Sequence, residues 1–213
     1  IFERSMRYII ISGIDGSGKT SIIEGIEVFF TKRKKTSVVI WLRYNHYFVK
    51  PLHAIARLLG LSKQYNSSEG KVWRHEFYKS TIFSWFYIRF TYLDTLIGKM
   101  KLNFKIKNKP DIVICDRWLN DILIDLGTKT HNEYFLSSKW YNRFKKMLPN
   151  KSNEFLITRN EEDLLKCRLE NQEDPDFNFR LKLYKKLEKK KDVVIINNIS
   201  TIEMAVNKII SKS

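Results

Sequence analysis

Residues 8–23, YIIISGIDGSGKTSII, crowd three glycines into six positions of a chain that holds only eight. The run before them, from Arg7 to Ser12, is apolar, rich in isoleucine and unbroken, as a parallel strand buried on both faces requires. After them Ile22, Ile23, Ile26, Phe29 and Phe30 recur at helical spacing. A strand, a glycine loop and a helix in that order commit the chain to an α/β architecture.

The rest of the chain continues the pattern. VVIWL (38–42), DIVIC (111–115), EFLIT (154–158) and DVVII (192–196) read as four further short strands. Helical stretches separate them. PLHAIARLLG begins with Pro and ends with Gly, SKQYNSSEG reads as a polar loop, and the aromatic-rich segment from Lys71 to about Met100 as one or two largely buried helices. NDILIDLG, EYFLSSKWYNRFKKML, EEDLLKCRLE, a Lys-rich stretch near 177–191 and TIEMAVNKII complete the helices, with the polar NQEDPD between the third and fourth of them. The expected fold is a three-layer α/β/α domain of the P-loop NTPase type, with a five-stranded parallel sheet flanked by helices. No repeat or Gly/Ser-rich linker divides residues 1–213, so one domain is expected, with Met6 as a natural start and residues 1–5 as an appended remnant.

Thirty-nine Lys and Arg stand against 23 Asp and Glu, a formal charge of +16. Such a surface favours polyanions: nucleotides, nucleic acid or an acidic membrane surface. A compositional excess of Lys in an Asn- and Ile-rich chain accounts for the charge equally well. Cys115 and Cys167 have no disulfide or metal-ligand spacing, so a reducing compartment is expected. His46, His53, His75 and His131 show no spacing that would gather a metal. No apolar run reaches the roughly 18 residues of a membrane span and no signal peptide is visible, so a cytoplasmic protein without a membrane partner is expected.

Gly13, Gly18, Lys19 and Thr20 have the spacing G-x-x-x-x-G-K-[ST], at the strand-to-helix junction that this motif requires. A polyphosphate must lie against bare backbone. Gly13, Gly16 and Gly18 permit the turn, and the N–H groups from Asp15 through Ser17 to Ser21 can face its oxygens, with the helix dipole behind them. Lys19 can reach the β- and γ-phosphates of ATP, and the Thr20 hydroxyl can ligate Mg²⁺. An ordinary glycine turn is the bland alternative; motif and context together weigh against it. The Asn-Lys pairs at 108, 150 and 207 lack the Asp two residues on that reads guanine, which disfavours a GTP switch.

VICDRWLND places Asp116 and Arg117 just past a strand end, the edge where open α/β sheets bind ligands. Asp116 could hold Mg²⁺, and Arg117 could clamp an acceptor phosphate. The competing reading has Asp116 capping the next helix and Arg117 pairing at the surface.

Here the chain resembles the thymidylate kinase family, which transfers the γ-phosphoryl of ATP to dTMP. The opening strand and loop with Asp15 and the VICDRW segment carry the resemblance; FLITRNEEDLLKCRLE, FNFRLKLYKKL and the last strand and helix are looser matches. The resemblance implies that Asp15 lies between donor and acceptor, that Arg43 and Arg117 bind the acceptor phosphate, and that Arg89 approaches the base. It also implies a cationic lid near 168–180. The loop offers no Arg of its own, so Arg168 or Arg180 is the expected lid cation, with Arg159 nearby. A homodimer is implied too, for which the aromatic stretch 72–92 could serve, unless it is simply core. RYNHYFVKPL replaces the family's Arg-Glu-Pro-Gly, and NQEDPD lacks its Asp-Arg pair. The acceptor is therefore open between dTMP, another nucleotide and a nucleic-acid end, beside a non-catalytic nucleotide- or nucleic-acid-binding protein.

Overall fold

Alternate residues of Arg7–Ser12 (β1) face opposite layers: Ile9 and Ile11 pack into one hydrophobic cluster, Tyr8 and Ile10 into the other. Only a central strand covered on both sides needs apolar residues at consecutive positions. The computed structural model describes residues 6–42, 46–68, 70–198 and 201–213. The reading of residues 1–5 as a remnant and the role given to Arg43 lie outside the described residues.

Lys19–Lys32 (α1) follows the glycine loop, and Ser37–Trp41 (β2), Val49–Leu58 (α2), Ser62–Ser67 (β3), Gly70–His75 (β4) and Thr81–Lys105 (α3) come next. Ile112–Asp116 (β5), Leu119–Lys129 (α4), Lys139–Lys145 (α5), Ser152–Thr158 (β6), Glu161–Cys167 (α6), Leu169–Glu173 (α7), Phe177–Leu187 (α8), Val194–Asn197 (β7) and Ile202–Lys212 (α9) complete the described chain. The main sheet has the order β2-β5-β1-β6-β7, and every pairing in it is parallel. Helices α1 and α9 cover one face through Ile22, Ile26, Val206 and Ile209. Leu102, Leu123, Phe144 and Leu183, from α3, α4, α5 and α8, cover the other. This is the three-layer architecture and five-stranded parallel sheet expected from the sequence. No helix among the described residues is long and apolar enough to cross a membrane.

Three local expectations need correction. SKQYNSSEG is not a loop, and the helix does not start at Lys71: β3 and β4 pair antiparallel from Ser62↔His75 to Ser67↔Gly70. The polar residues here satisfy their backbone in a two-stranded ladder, and Gly70, at φ 110, supplies the left-handed turn residue. The helix begins only at Thr81, where the Ser80 side chain accepts from Phe83 N. Residues 133–148 are not one helix: a short 3₁₀ turn at Phe135–Ser137 stops, and α5 restarts with Ser138 as its cap. EEDLLKCRLE breaks at Arg168, whose extended backbone separates α6 from α7, and α7 extends into the expected polar lid.

The second layer contains a buried ion pair. Glu154 of β6 is 5% exposed, and Lys145 Nζ donates to its Oε1 at 2.5 Å and to Asp192 Oδ2 at 2.9 Å. Asn120 Nδ2 donates to the other Glu154 oxygen at 2.9 Å. Burial raises the Glu154 carboxyl above its ordinary range, and Lys145 opposes that rise. Removing the cation leaves a buried carboxylate unpaired. Lys145→Met should therefore lower stability at pH 7 by about 3 kcal/mol in urea titrations. With its folded pKa raised further, Glu154 in the variant stabilises only when protonated, so the deficit should shrink as pH falls from 7 toward 5.

Candidate phosphate-binding site

Gly13, at φ 150, follows β1 directly, and Gly16 and Gly18 take φ 87 and 93. A Cβ on Gly13 would lie 2.5 Å from the backbone oxygen of Ile157, so β6 leaves room for no side chain there. The loop closes with Ser17 N donating to Ile14 O at 3.2 Å.

Side chains grip every carbonyl from 13 to 17. Lys19 Nζ donates to Gly13 O and Ile14 O, both at 2.7 Å, Asn171 Nδ2 to Asp15 O at 2.9 Å, Arg159 Nη1 to Gly16 O at 3.4 Å and Asn198 Nδ2 to Ser17 O at 2.8 Å. The N–H groups are treated differently. Gly13 N donates to Asp121 Oδ1 at 3.4 Å, whereas the N–H groups of Gly16, Gly18, Thr20 and Ser21 meet no acceptor among the described residues. Gly18 is the N-cap of α1 and contributes no side-chain cap. A loop whose carbonyls are held while the N–H groups of Gly16, Gly18, Thr20 and Ser21 meet no acceptor among the described residues, at a helix N-terminus, is a cradle for an anion. Lys19, 5% exposed, waits on two carbonyls that an incoming phosphate can replace. The Ser17 hydroxyl is buried without a hydrogen-bond partner among the described residues.

Behind the loop, Asp121 of α4 is 1% exposed, and its Oδ1 also accepts from Tyr184 OH of α8 at 2.7 Å. It fixes the loop's first residue to two helices. In front, Arg117 donates to Asp15 Oδ1, and Lys19 Nζ lies 3.9 Å from the same oxygen. Arg117 sits at φ 56, an uncommon conformation for a residue with a Cβ and one that clusters at functional sites. Asp116 does not cap α4: Trp118 is the N-cap and no side chain caps it. Burial raises the Asp116 carboxyl, with Arg117 and Lys19 opposing.

The lid residues divide clearly. Arg180 Nη1 pairs with Asp174 Oδ2 at 3.0 Å inside the lid, and Arg159 is held by Gly16 O and, at 3.1 Å, by Cys167 Sγ. Arg168 is exposed, its Cγ would stand 3.3 Å from a Cβ on Gly16, and its guanidinium makes no hydrogen bond or ion pair among the described residues. Of the three, Arg168 is the one whose guanidinium is not engaged among the described residues, and its aliphatic stem lies beside Gly16. Arg89 is not brought to this group. Its guanidinium stacks on Trp85 at 3.4 Å and faces Trp140 at 5.5 Å, because two indoles offer it a better face than the interior does.

The hairpin clasps the lid. Arg74 Nε donates to Asp176 Oδ2 at 3.0 Å while its Nη2 donates to Oδ1, and Ser68 N donates to Glu173 Oε2 at 2.6 Å. Under it, His53 stacks on His75 at 4.0 Å, Tyr87 tilts against Phe77 at 4.6 Å, and the Ser62 hydroxyl meets His75 Nδ1 at 2.7 Å. Burial pushes His53 down to about 2 and His75 to about 4, so both are neutral at pH 7. Among the described residues no group of three or more His, Cys, Asp or Glu is placed to hold a metal ion by itself. Asp121, Asn171, Tyr184, Asn198 and the hairpin were not found from sequence. Only the Gly in SSEG hinted at the hairpin turn.

No protein-family model matches the chain, and no curated protein matches it in sequence. The fold does match: the thymidylate kinase from Ehrlichia chaffeensis superposes with a TM-score of 0.52 at 16% identity, over 97% of this chain and 99% of that one. The protein thus has the fold of a P-loop kinase, as that thymidylate kinase has.

Gly13→Ala should cost about 3 kcal/mol or more, since its Cβ meets backbone as well as an unfavourable φ. Gly60→Ala, at φ 71 with nothing within 4 Å, should cost about 1 kcal/mol. Thermal melts of the two variants would check the difference.

Proposed function

We propose that the protein is a nucleoside-monophosphate kinase that transfers the γ-phosphoryl of ATP to dTMP or a related nucleotide, in nucleotide biosynthesis. The observation that carries this reading is the convergence of Lys19 and Arg117, with the Arg168 stem beside Gly16, on a loop whose N–H groups at Gly16, Gly18, Thr20 and Ser21 meet no acceptor among the described residues. Phosphoryl transfer needs positioning and charge neutralisation more than covalent chemistry.

In this reading the loop from Gly13 to Ser21 binds the phosphates of ATP, and Lys19 exchanges its two carbonyls for their oxygens. The Thr20 hydroxyl and the Asp116 carboxylate, both at the ligand edge of the sheet, are the oxygen donors suited to Mg²⁺. Bound there, Mg²⁺ neutralises phosphate charge. Arg117 is turned toward the reaction by Asp15 and binds the acceptor phosphate together with Arg43. Arg168 covers the transferred group from the lid and stabilises its transition-state charge.

The exposed apolar residues on one face of α3 support a homodimer: Ile82 is 67% exposed and Trp85 47%, while Phe77 and Tyr87 of the aromatic stretch 72–92 belong to the core. Sedimentation should give twice the 25.5 kDa chain mass.

ATP- and Mg²⁺-dependent ADP release should be stimulated by one of dTMP, dUMP, UMP, CMP, AMP or GMP; stimulation by none sinks the proposal. Arg168→Ala should lower kcat by about 100-fold or more while ATP binding changes little. Lys19→Ala should abolish turnover.

A further inference from the structure

Every helix that feeds the parallel sheet arrives at the edge opposite the glycine loop, and that edge is where the chain concentrates its cations. Lys32–Lys35 precede β2, Lys105, Lys107 and Lys109 precede β5, and Arg7 opens β1. Lys146 and Lys151 precede β6, and Lys189–Lys191 precede β7. The end of α9, with Lys208 and Lys212, joins them, since Arg7 Nη1 donates to Ser213 O at 3.1 Å. Most of these side chains are exposed, and none forms an ion pair among the described residues, unlike Lys145 beside them. The acids of these connections are few: Asp111 accepts from Thr36 N and Oγ1, both at 2.9 Å, Asp192 pairs with Lys145, and Glu188 precedes Lys189.

A compositional excess of Lys does not explain the placement. Lys34, Lys109 and Lys151, one in each of three connections, adopt φ 54, 45 and 61. Asn and Gly take that conformation more readily, and Asn108 and Asn150 stand next to two of these positions. The less favourable residue occupies the turn each time and carries a charge into solvent.

The sheet also fixes the shape of the charge. Five strands about 4.8 Å apart set the clusters in a row about 19 Å long. A row suits a linear polyanion. Phe104, 62% exposed in the last turn of α3 with Lys107 Nζ 5.2 Å from its ring, adds a stacking face beside the row. We propose that this edge binds a nucleic-acid strand along its phosphate backbone. It lies about one strand length, roughly 20 Å, from the glycine loop, so the bound strand is a docking partner rather than the phosphoryl acceptor.

The test is fluorescence anisotropy with a labelled oligodeoxythymidine, from about 50 to 200 mM salt, on the wild-type chain and two charge-matched triple variants. Lys32→Glu/Lys105→Glu/Lys189→Glu should bind more than about tenfold more weakly and lower the salt slope by about 2. Lys50→Glu/Lys71→Glu/Lys139→Glu, exposed elsewhere, should lose less than about threefold by the same counting. Binding of a fluorescent ATP analogue should be equal in all three, which also reports folding. Equal losses in both triples would reduce the effect to net charge and overturn the proposal. So would absence of binding by the wild type at low salt, or binding to phosphatidylserine vesicles without binding to the oligonucleotide.

Discussion

Five consecutive carbonyls, 13 to 17, are each held by a side chain, and the shape of the site follows from that. A glycine loop has too much freedom to present its N–H groups in one direction unaided. Here Lys19, Asn171, Arg159 and Asn198 fix the carbonyls from α1, the lid, the β6–α6 junction and the β7–α9 junction. The N–H groups of Gly16, Gly18, Thr20 and Ser21 are left without acceptors among the described residues. Asn171 makes its grip from the lid, which ties the conformation of the loop to the position of the lid.

What could be read from sequence was what has a period or a fixed spacing. Ile9, Ile10 and Ile11 announce a strand buried on both sides, and Gly13, Gly18, Lys19 and Thr20 announce the loop. Contacts between distant polar residues leave no such trace. Asn171 and Asn198 are ordinary polar residues until folding carries them to Asp15 and Ser17. The β3–β4 hairpin was missed because its residues are mostly polar and exposed, so no apolar alternation marks it. Arg89 shows a related limit: position on a helix says little about which face a guanidinium chooses when Trp85 and Trp140 offer theirs.

The fold agreement with the Ehrlichia chaffeensis thymidylate kinase at 16% identity has a physical basis. A parallel sheet with its ligand edge at the strand ends needs apolar strands and short connections, and many sequences meet that demand. The departures from the family's sequence pattern, RYNHYFVKPL and NQEDPD, fall in connections between strands, which the sheet does not dictate.

The Arg74–Asp176 pair joins the hairpin to the lid, and Asn171 joins the lid to the loop. Hairpin, lid and loop are therefore links of one chain of contacts. Lifting the lid from the loop must either carry the hairpin with it or part an Arg from a carboxylate. Opening beside the glycine loop is thereby mechanically tied to opening at the hairpin, and ionic strength acts on both at once.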